Sequence, residues 1–171
     1  MNRCLILYST TDGHTKKICD YIAHNLDEVN KISVVNITSF NQKDLDNYDS
    51  IIIGASIRYG KHQESLYKFI NKNREKLDTK KNAFFTVNAV ERKTEKKLPQ
   101  TNPNMIKFLK LTKWKPQHLN VFAGRINYPK YGFIDKYVIR FIMWLSKGPT
   151  DTRGDFEFTD WDKVKSFAKI F

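Results

Sequence analysis

Short apolar runs, separated by stretches in which apolar residues recur at helical spacing, constrain this chain more than any other feature. Cys4-Leu5-Ile6-Leu7-Tyr8 is continuously apolar and ends in a polar, glycine-containing turn. A strand with no polar face must be covered on both sides, as in a buried parallel sheet. From Thr15 the period changes. Ile18, Ile22, Leu26 and Val29 fall on one side of a helix, while Lys16, Lys17, Asp20 and His24 lie off that stripe. A second β-branched run spans Ile32 to Ile37, and Asp49 to Ala55, centred on Ile51-Ile52-Ile53-Gly54, reads as the strongest strand. Its loop, Ser56 to His62, leads to a helix with Leu66, Phe69 and Ile70 on one side. Ala83 to Val87 is a fourth strand, followed by a basic stretch and a helix carrying Met105, Ile106, Leu109 and Leu111. Asn120 to Ile126 is the fifth. Trp161, Val164, Phe167, Ala168 and Phe171 mark a closing helix with Thr159 or Asp160 as N-cap.

Strands alternating with helices predict an α/β fold: a doubly wound, five-stranded parallel sheet with helices on both faces. Right-handed crossovers leave few topologies. The 171 residues suit one domain. Residues 129–152 stand outside the alternation and read as an insertion between the fifth strand and the last helix.

Hydrophobic residues at 40% and charged residues at 28% exclude global disorder. The net charge of +12 exceeds what solubility needs, so a basic surface is expected to face nucleic acid, phospholipid or an acidic small molecule. Drift of composition toward Lys, Ile and Asn is the alternative. Cys4 and Cys19 lie in apolar patterns without metal-ligand spacing and read as buried free thiols in a reducing cytoplasm; no metal site is expected. Nothing at the N-terminus has the pattern of a signal peptide, and no apolar run approaches the roughly 20 residues of a spanning helix.

The loop Ser9, Thr10, Thr11, Asp12, Gly13, His14, Thr15 joins the first strand to the first helix. Hydroxyls and backbone N–H groups converge there at a helix N-terminus, an arrangement that serves a phosphate monoester. An ordinary capped turn uses the same residue types. The dinucleotide pattern G-x-G-x-x-G and the Walker lysine motif are both absent. The loop resembles the flavodoxin fingerprint T-x-T-G-x-T, with Thr10, Gly13 and Thr15 matching. Asp12 replaces the third hydroxyl residue; its carboxylate is expected to turn outward and leave its N–H to the ligand.

Further stretches narrow the resemblance. Ile53 to Gly60, Val87 to Lys93, Thr150 to Arg153 and Thr159 to Trp161 are similar to segments of the quinone-dependent protoporphyrinogen IX dehydrogenases, over essentially the whole length. That resemblance implies a flavodoxin-like fold, an FMN cofactor and oxidation of protoporphyrinogen IX to protoporphyrin IX in haem biosynthesis. It implies a respiratory quinone, menaquinone or ubiquinone, as acceptor. In flavodoxin-like proteins the loops after the third and fourth strands flank the isoalloxazine. Here these are Ser56, Ile57, Arg58, Tyr59, Gly60 and the stretch from Asn88, Ala89 and Val90 to Arg92. Tyr59 is placed to pack beside the ring. Backbone N–H groups near Gly60 and Asn88 would bond its edge. Arg58, Tyr59 and Arg92 are candidates to orient the substrate, the arginines through its propionates. No residue set demands acid–base catalysis, and the loop histidines His14 and His62 read as incidental.

Eight basic residues lie between Glu91 and Lys115, opposed by Glu91 and Glu95 alone. On a helical wheel of Asp135 to Lys147, Lys136, Arg140 and Lys147 share one narrow face and apolar residues cover most of the rest, with Met143 intruding on the basic face. Such a helix suits an anionic membrane surface, and Tyr128, Tyr131 and Phe133 suit the headgroup level. The expectation is a peripheral protein at the cytoplasmic face of the cell membrane. Packing on its own domain, or on a second subunit in a homo-oligomer, are the alternatives. Two other enzyme-like readings stay open: a flavodoxin-type electron carrier, which would favour an acidic surface, and a nicotinamide–quinone reductase. A nucleic-acid module rests on charge alone and would leave the flavin-type loop unexplained.

Overall fold

The computed structural model describes residues 2–26 and 31–171, with the backbone but not the side chains of Val90 and Thr94. Val29, placed on the first helical stripe, lies outside the described residues. The main strands are β1 (Arg3–Ser9), β2 (Lys31–Asn36), β3 (Ser50–Ser56), β4 (Lys81–Asn88) and β5 (His118–Ala123). They form one sheet in the order β2-β1-β3-β4-β5, every neighbour parallel. This is the flavodoxin-like order.

The continuous apolar runs are explained by the pleat. Leu5, Leu7, Ile51, Ile53 and Phe84 point to one face, where they meet α2 (Glu64–Asp78) and α3 (Pro103–Thr112). Cys4, Ile6, Ile52, Ala83 and Phe85 point to the other, against α1 (His14–His24) and α5 (Trp161–Ala168). Each face buries alternate residues of the same strands. Gly54 is where Phe85 crosses its neighbour: a Cβ there would stand 2.2 Å from the Phe85 ring. Cys4 and Cys19 are buried free thiols.

Three sequence expectations are corrected. The fifth strand breaks at Gly124. Its tail is a separate strand, β6 (Arg125–Asn127), paired antiparallel with β7 (Asp155–Glu157), which the sequence reading passed over. On α3 the buried face is Met105, Phe108 and Thr112, with Leu109 partly buried, while Ile106 and Leu111 are exposed. Thr112 is tolerated inside because its hydroxyl donates to the Phe108 carbonyl, 3.0 Å away. The insertion helix, α4, runs Phe133–Leu145, two residues ahead of the expected span at both ends. Asp160, not Thr159, caps α5, accepting from the Lys163 N–H.

α4 rests on the domain through a narrow strip. Ile139 and Met143 are buried and join a small cluster with Ile126 and Tyr128. The residue that interrupts the basic face on the wheel, Met143, is therefore the anchor. Phe133, Ile134, Phe141, Trp144 and Leu145 are all more than half exposed. At its C-terminal end the Gly148 N–H donates to the Met143 carbonyl at 2.7 Å, and a Cβ on Gly148 would meet Arg92 and Met143.

Candidate functional site

The C-terminal ends of β1, β3 and β4 open on one cleft at the topological switch point, where ligands of doubly wound sheets bind. It encloses about 840 Å³ of non-protein space, open solvent at its mouth included. Three groups of sequence-selected residues line it: Thr10, Asp12, His14 and Thr15; Ser56, Ile57, Arg58, Tyr59 and Gly60; and Asn88 with Ala89. Segments about 45 and 30 residues apart in sequence are thus brought together, as parallel strand ends require.

The first group starts from local backbone. Gly13 has φ +84°, a left-handed conformation that places it just ahead of α1, and its N–H donates to the Thr10 hydroxyl at 3.0 Å. No acidic residue occupies the first turn of α1, so the positive end of its dipole is not internally offset. The hydroxyls of Thr15 and Ser56 are buried, line the cleft and have no protein partner. A buried hydroxyl left unpaired costs about 1–3 kcal/mol. Two such groups in one cleft, one of them in the first turn of α1, fit a bound phosphate, and this is the test that an FMN phosphate must pass here. Asp12 does turn its carboxylate from that position: both its oxygens accept from Arg58 Nη1, at 2.8 and 2.9 Å.

Arg58 also pairs with Asp135 on α4 at 2.9 Å, and its guanidinium lies near the rings of Tyr59 and Tyr131. It bridges the phosphate loop and the insertion across the mouth of the cleft. Tyr59 has φ +51°, unusual for a tyrosine, and its hydroxyl donates to Asp135. The strained residue is held in place from outside the loop.

His14 is buried, and Thr159 settles its tautomer. The Thr159 hydroxyl donates to the Ala123 carbonyl and so must accept from His14 Nε2–H, 2.7 Å away. Nδ1 is left as a bare acceptor without a partner, and burial lowers the ring's pKa. His62 is enclosed by Tyr67, Phe84 and Phe108. Its Nδ1–H donates to the Ser56 carbonyl at 3.2 Å, and burial holds its pKa down to about 4. Each histidine ties down a segment that borders the cleft through a hydrogen bond.

Several selected residues are placed elsewhere. The Ser9 hydroxyl is turned inside and donates to Gln63; Thr11 is exposed and Gly13 borders an adjoining hollow. The Val90 side chain is outside the described residues. Arg92 does not reach the cleft. Its guanidinium donates to the carbonyls of Ala89 and Ser146 and to the Ser146 hydroxyl, so it ties the turn after β4 to the end of α4 and is not placed to orient a substrate. The preceding residue, Glu91, is buried and accepts from Asn102, the N-cap of α3.

The flavodoxin domain family model matches residues 5–153. Over 168 residues the chain is 41% identical to the quinone-type protoporphyrinogen IX dehydrogenase of Escherichia coli (strain K12), covering 98% of this chain and 93% of that protein. The chain belongs to this family of flavodoxin-domain dehydrogenases. It is an oxidoreductase by that membership. A relative of the same name in Leishmania major is 42% identical, with 99% of this chain and 74% of that one covered. The crystal structure of oxidised flavodoxin 1 from Bacillus cereus shares the fold at a TM-score of 0.53 and 17% identity, covering 98% of this chain and 95% of that one.

Within this flavodoxin-domain frame, one part of the cleft wall was missed in sequence. Tyr131, Ile139, Ile142 and Met143 come from the insertion, and Gly124 and Ile126 from the break after β5. The wheel signal was present in Met143, an apolar residue on a basic stripe.

Proposed function

We propose that this chain binds FMN and oxidises protoporphyrinogen IX to protoporphyrin IX, with menaquinone or ubiquinone as acceptor, as a step of haem biosynthesis. The observation that carries the cofactor reading is the pair of unpartnered buried hydroxyls, Thr15 in the first turn of α1 and Ser56 at the end of β3, in residues that line one cleft. Bound there, FMN supplies a carrier of electron pairs between a reduced tetrapyrrole and a quinone. The protein's own work is to bind, orient and exclude water. Thr10, Thr15 and Ser56 with the first N–H groups of α1 would hold the phosphate. Tyr59 and Gly60 on one side and Asn88 and Ala89 on the other would border the ring. Ile139, Ile142 and Met143 supply an apolar wall suited to lipophilic substrates. The conversion removes six electrons and six protons, so it takes three turns, each reducing one quinone to quinol.

The exposed face of α4 supports a second element of the reading: peripheral attachment to an anionic membrane surface at the cytoplasmic face of the cell membrane. A thirteen-residue helix is about 20 Å long, short of the roughly 30 Å hydrocarbon core. Among the described residues no helix is long and apolar enough to cross a membrane. Lying in the interface, α4 would insert Phe133, Phe141 and Trp144 while Arg140 and Lys147 met headgroups. Both substrates are lipophilic, which favours a membrane over a second copy of the chain as the cover for this face.

The cofactor reading is tested by Thr15→Ala combined with Gly13→Val. Valine is strained at φ +84°, and the variant should lose FMN. Unchanged occupancy defeats the assignment. Stopped-flow reduction by NADH as fast as by protoporphyrinogen IX would favour a nicotinamide–quinone reductase instead.

A further inference from the structure

Two consecutive residues just ahead of α2 reach back to both cofactor-facing loops. His62 holds the Ser56 carbonyl. Gln63, the N-cap residue of α2, holds the entry to the phosphate loop: its Nε2–H donates to the Thr10 carbonyl at 3.1 Å, and its Oε1 accepts from the Ser9 hydroxyl at 2.9 Å. A carbonyl only accepts, so the amide nitrogen must face Thr10 and the amide oxygen must face Ser9; the orientation of the side chain is fixed chemically. The β1–β3 ladder sets the spacing of these loops up to Ser9, which is paired with Ala55. Beyond that point, the exposed Arg58–Asp12 pair joins the loops at the rim and the half-buried Gln63 joins them at the base.

We propose that Gln63 is a positioning residue for the cofactor phosphate: one amide, bonded at both its atoms, ties the loop between Ser9 and Thr15 to the start of α2, next to the His62 that holds the Ser56 carbonyl. This inference rests on the FMN reading above. Gln63 does not line the cleft and touches no ligand; it acts by orienting the Thr10 carbonyl away from an anion and by tying down the Ser9 hydroxyl. With both bonds made, the Thr10 and Thr15 hydroxyls, on residues that line the cleft, and the N–H groups at the start of α1 remain as donors for the ligand. A lysine or arginine at this position would contribute charge; an amide contributes geometry alone.

The test compares FMN with riboflavin, which lacks the phosphate, by fluorescence titration of the flavin-free protein. Gln63→Met keeps the volume and removes both bonds. Its FMN affinity should fall about tenfold, the size expected for two neutral hydrogen bonds, while riboflavin affinity stays within twofold. Gln63→Glu keeps an acceptor for Ser9, removes the donor to Thr10 and adds a negative charge near the phosphate. Its FMN loss should equal or exceed that of Gln63→Met, again with riboflavin spared. Should Gln63→Met fail to fold, judged by circular dichroism, Gln63→Glu decides alone. Equal losses for the two flavins would reduce Gln63 to a general structural role and overturn the proposal, as would unchanged FMN affinity. If the unmodified protein binds FMN no better than riboflavin, the phosphate-site reading itself falls, and the proposal with it.

Discussion

α1 and α4 are both amphipathic helices of similar length, yet they use their apolar faces in opposite ways. α1 buries Ile18 and Ile22 completely against the sheet and leaves lysines outside. α4 leaves Phe133, Phe141 and Trp144 outside and meets the domain through Ile139 and Met143. Apolar periodicity therefore marks a helix and an interface, but it does not say whether the domain supplies the other side. α1 is part of the fold. α4 is held by a few specific ties: Arg58 at its first turn, Arg92 at its last, and a two-residue apolar strip between them. The turn after β4 shows the same division in adjacent residues, since Glu91 is anchored to α3 and Arg92 to α4.

The largest expected effect lies in the core. Ile22→Ala, at a fully buried site, should cost about 3 kcal/mol of global stability, read from the urea midpoint. Met143→Ala should instead accelerate amide exchange in α4 with a smaller shift of that midpoint. Equal global losses would merge the two helices into one cooperative unit and break the comparison.

Next is the anchored side of the turn after β4. Burial holds the Glu91 carboxyl up at about 7, against an ordinary 4.5. Below pH 4.5 both folded and unfolded chains carry the proton. As pH rises toward 7 the unfolded chain releases it first, so stability is lost across that window, on the order of 2 kcal/mol. Glu91→Gln should abolish this loss. The difference between the two proteins, followed by thermal melts from pH 4.5 to 8, isolates Glu91 from His62, whose buried neutral ring gives a slope of opposite sign. Parallel melting curves for the two proteins would contradict the assignment.

The smallest effect on stability belongs to the exposed face of α4. Phe141→Ser with Trp144→Ser should change stability by only about 0.5 kcal/mol and leave FMN content unchanged. Binding to anionic vesicles and quinone turnover should fall together. In the unmodified protein vesicle binding should weaken with salt without vanishing, because the cationic part is screened over about 8 Å while apolar burial is not. A double variant that unfolds, or sheds flavin, would place this face in the core. A change from dimer to monomer would name a second subunit as its cover.

What was legible in the sequence was local. The strands announced themselves because Ile51-Ile52-Ile53 and Ala83 to Val87 have no polar face, and the loop from Ser9 to Thr15 because its hydroxyls and its glycine are close together in sequence, four of its residues lining the cleft. What was not legible depended on contacts distant in sequence. Gln63 meets Ser9 across 54 positions, and one amide carries no periodic signal. Arg92 looked like a substrate ligand because its loop borders the cleft, but the side chain turns to Ser146. On α3 apolar character alone did not reveal the buried face: Ile106 and Leu111 are exposed, and Thr112 is buried with a hydroxyl that its own helix satisfies.

The measurement that bears most directly on the account is porphyrin fluorescence from protoporphyrinogen IX, followed anaerobically with the FMN-loaded protein and added menaquinone or ubiquinone. The account predicts fluorescence that grows only when protein, FMN and quinone are all present, with three quinones reduced per porphyrin formed. Fluorescence that ignores quinone, or a loaded protein that turns over quinone with NADH but leaves protoporphyrinogen IX untouched, would contradict it.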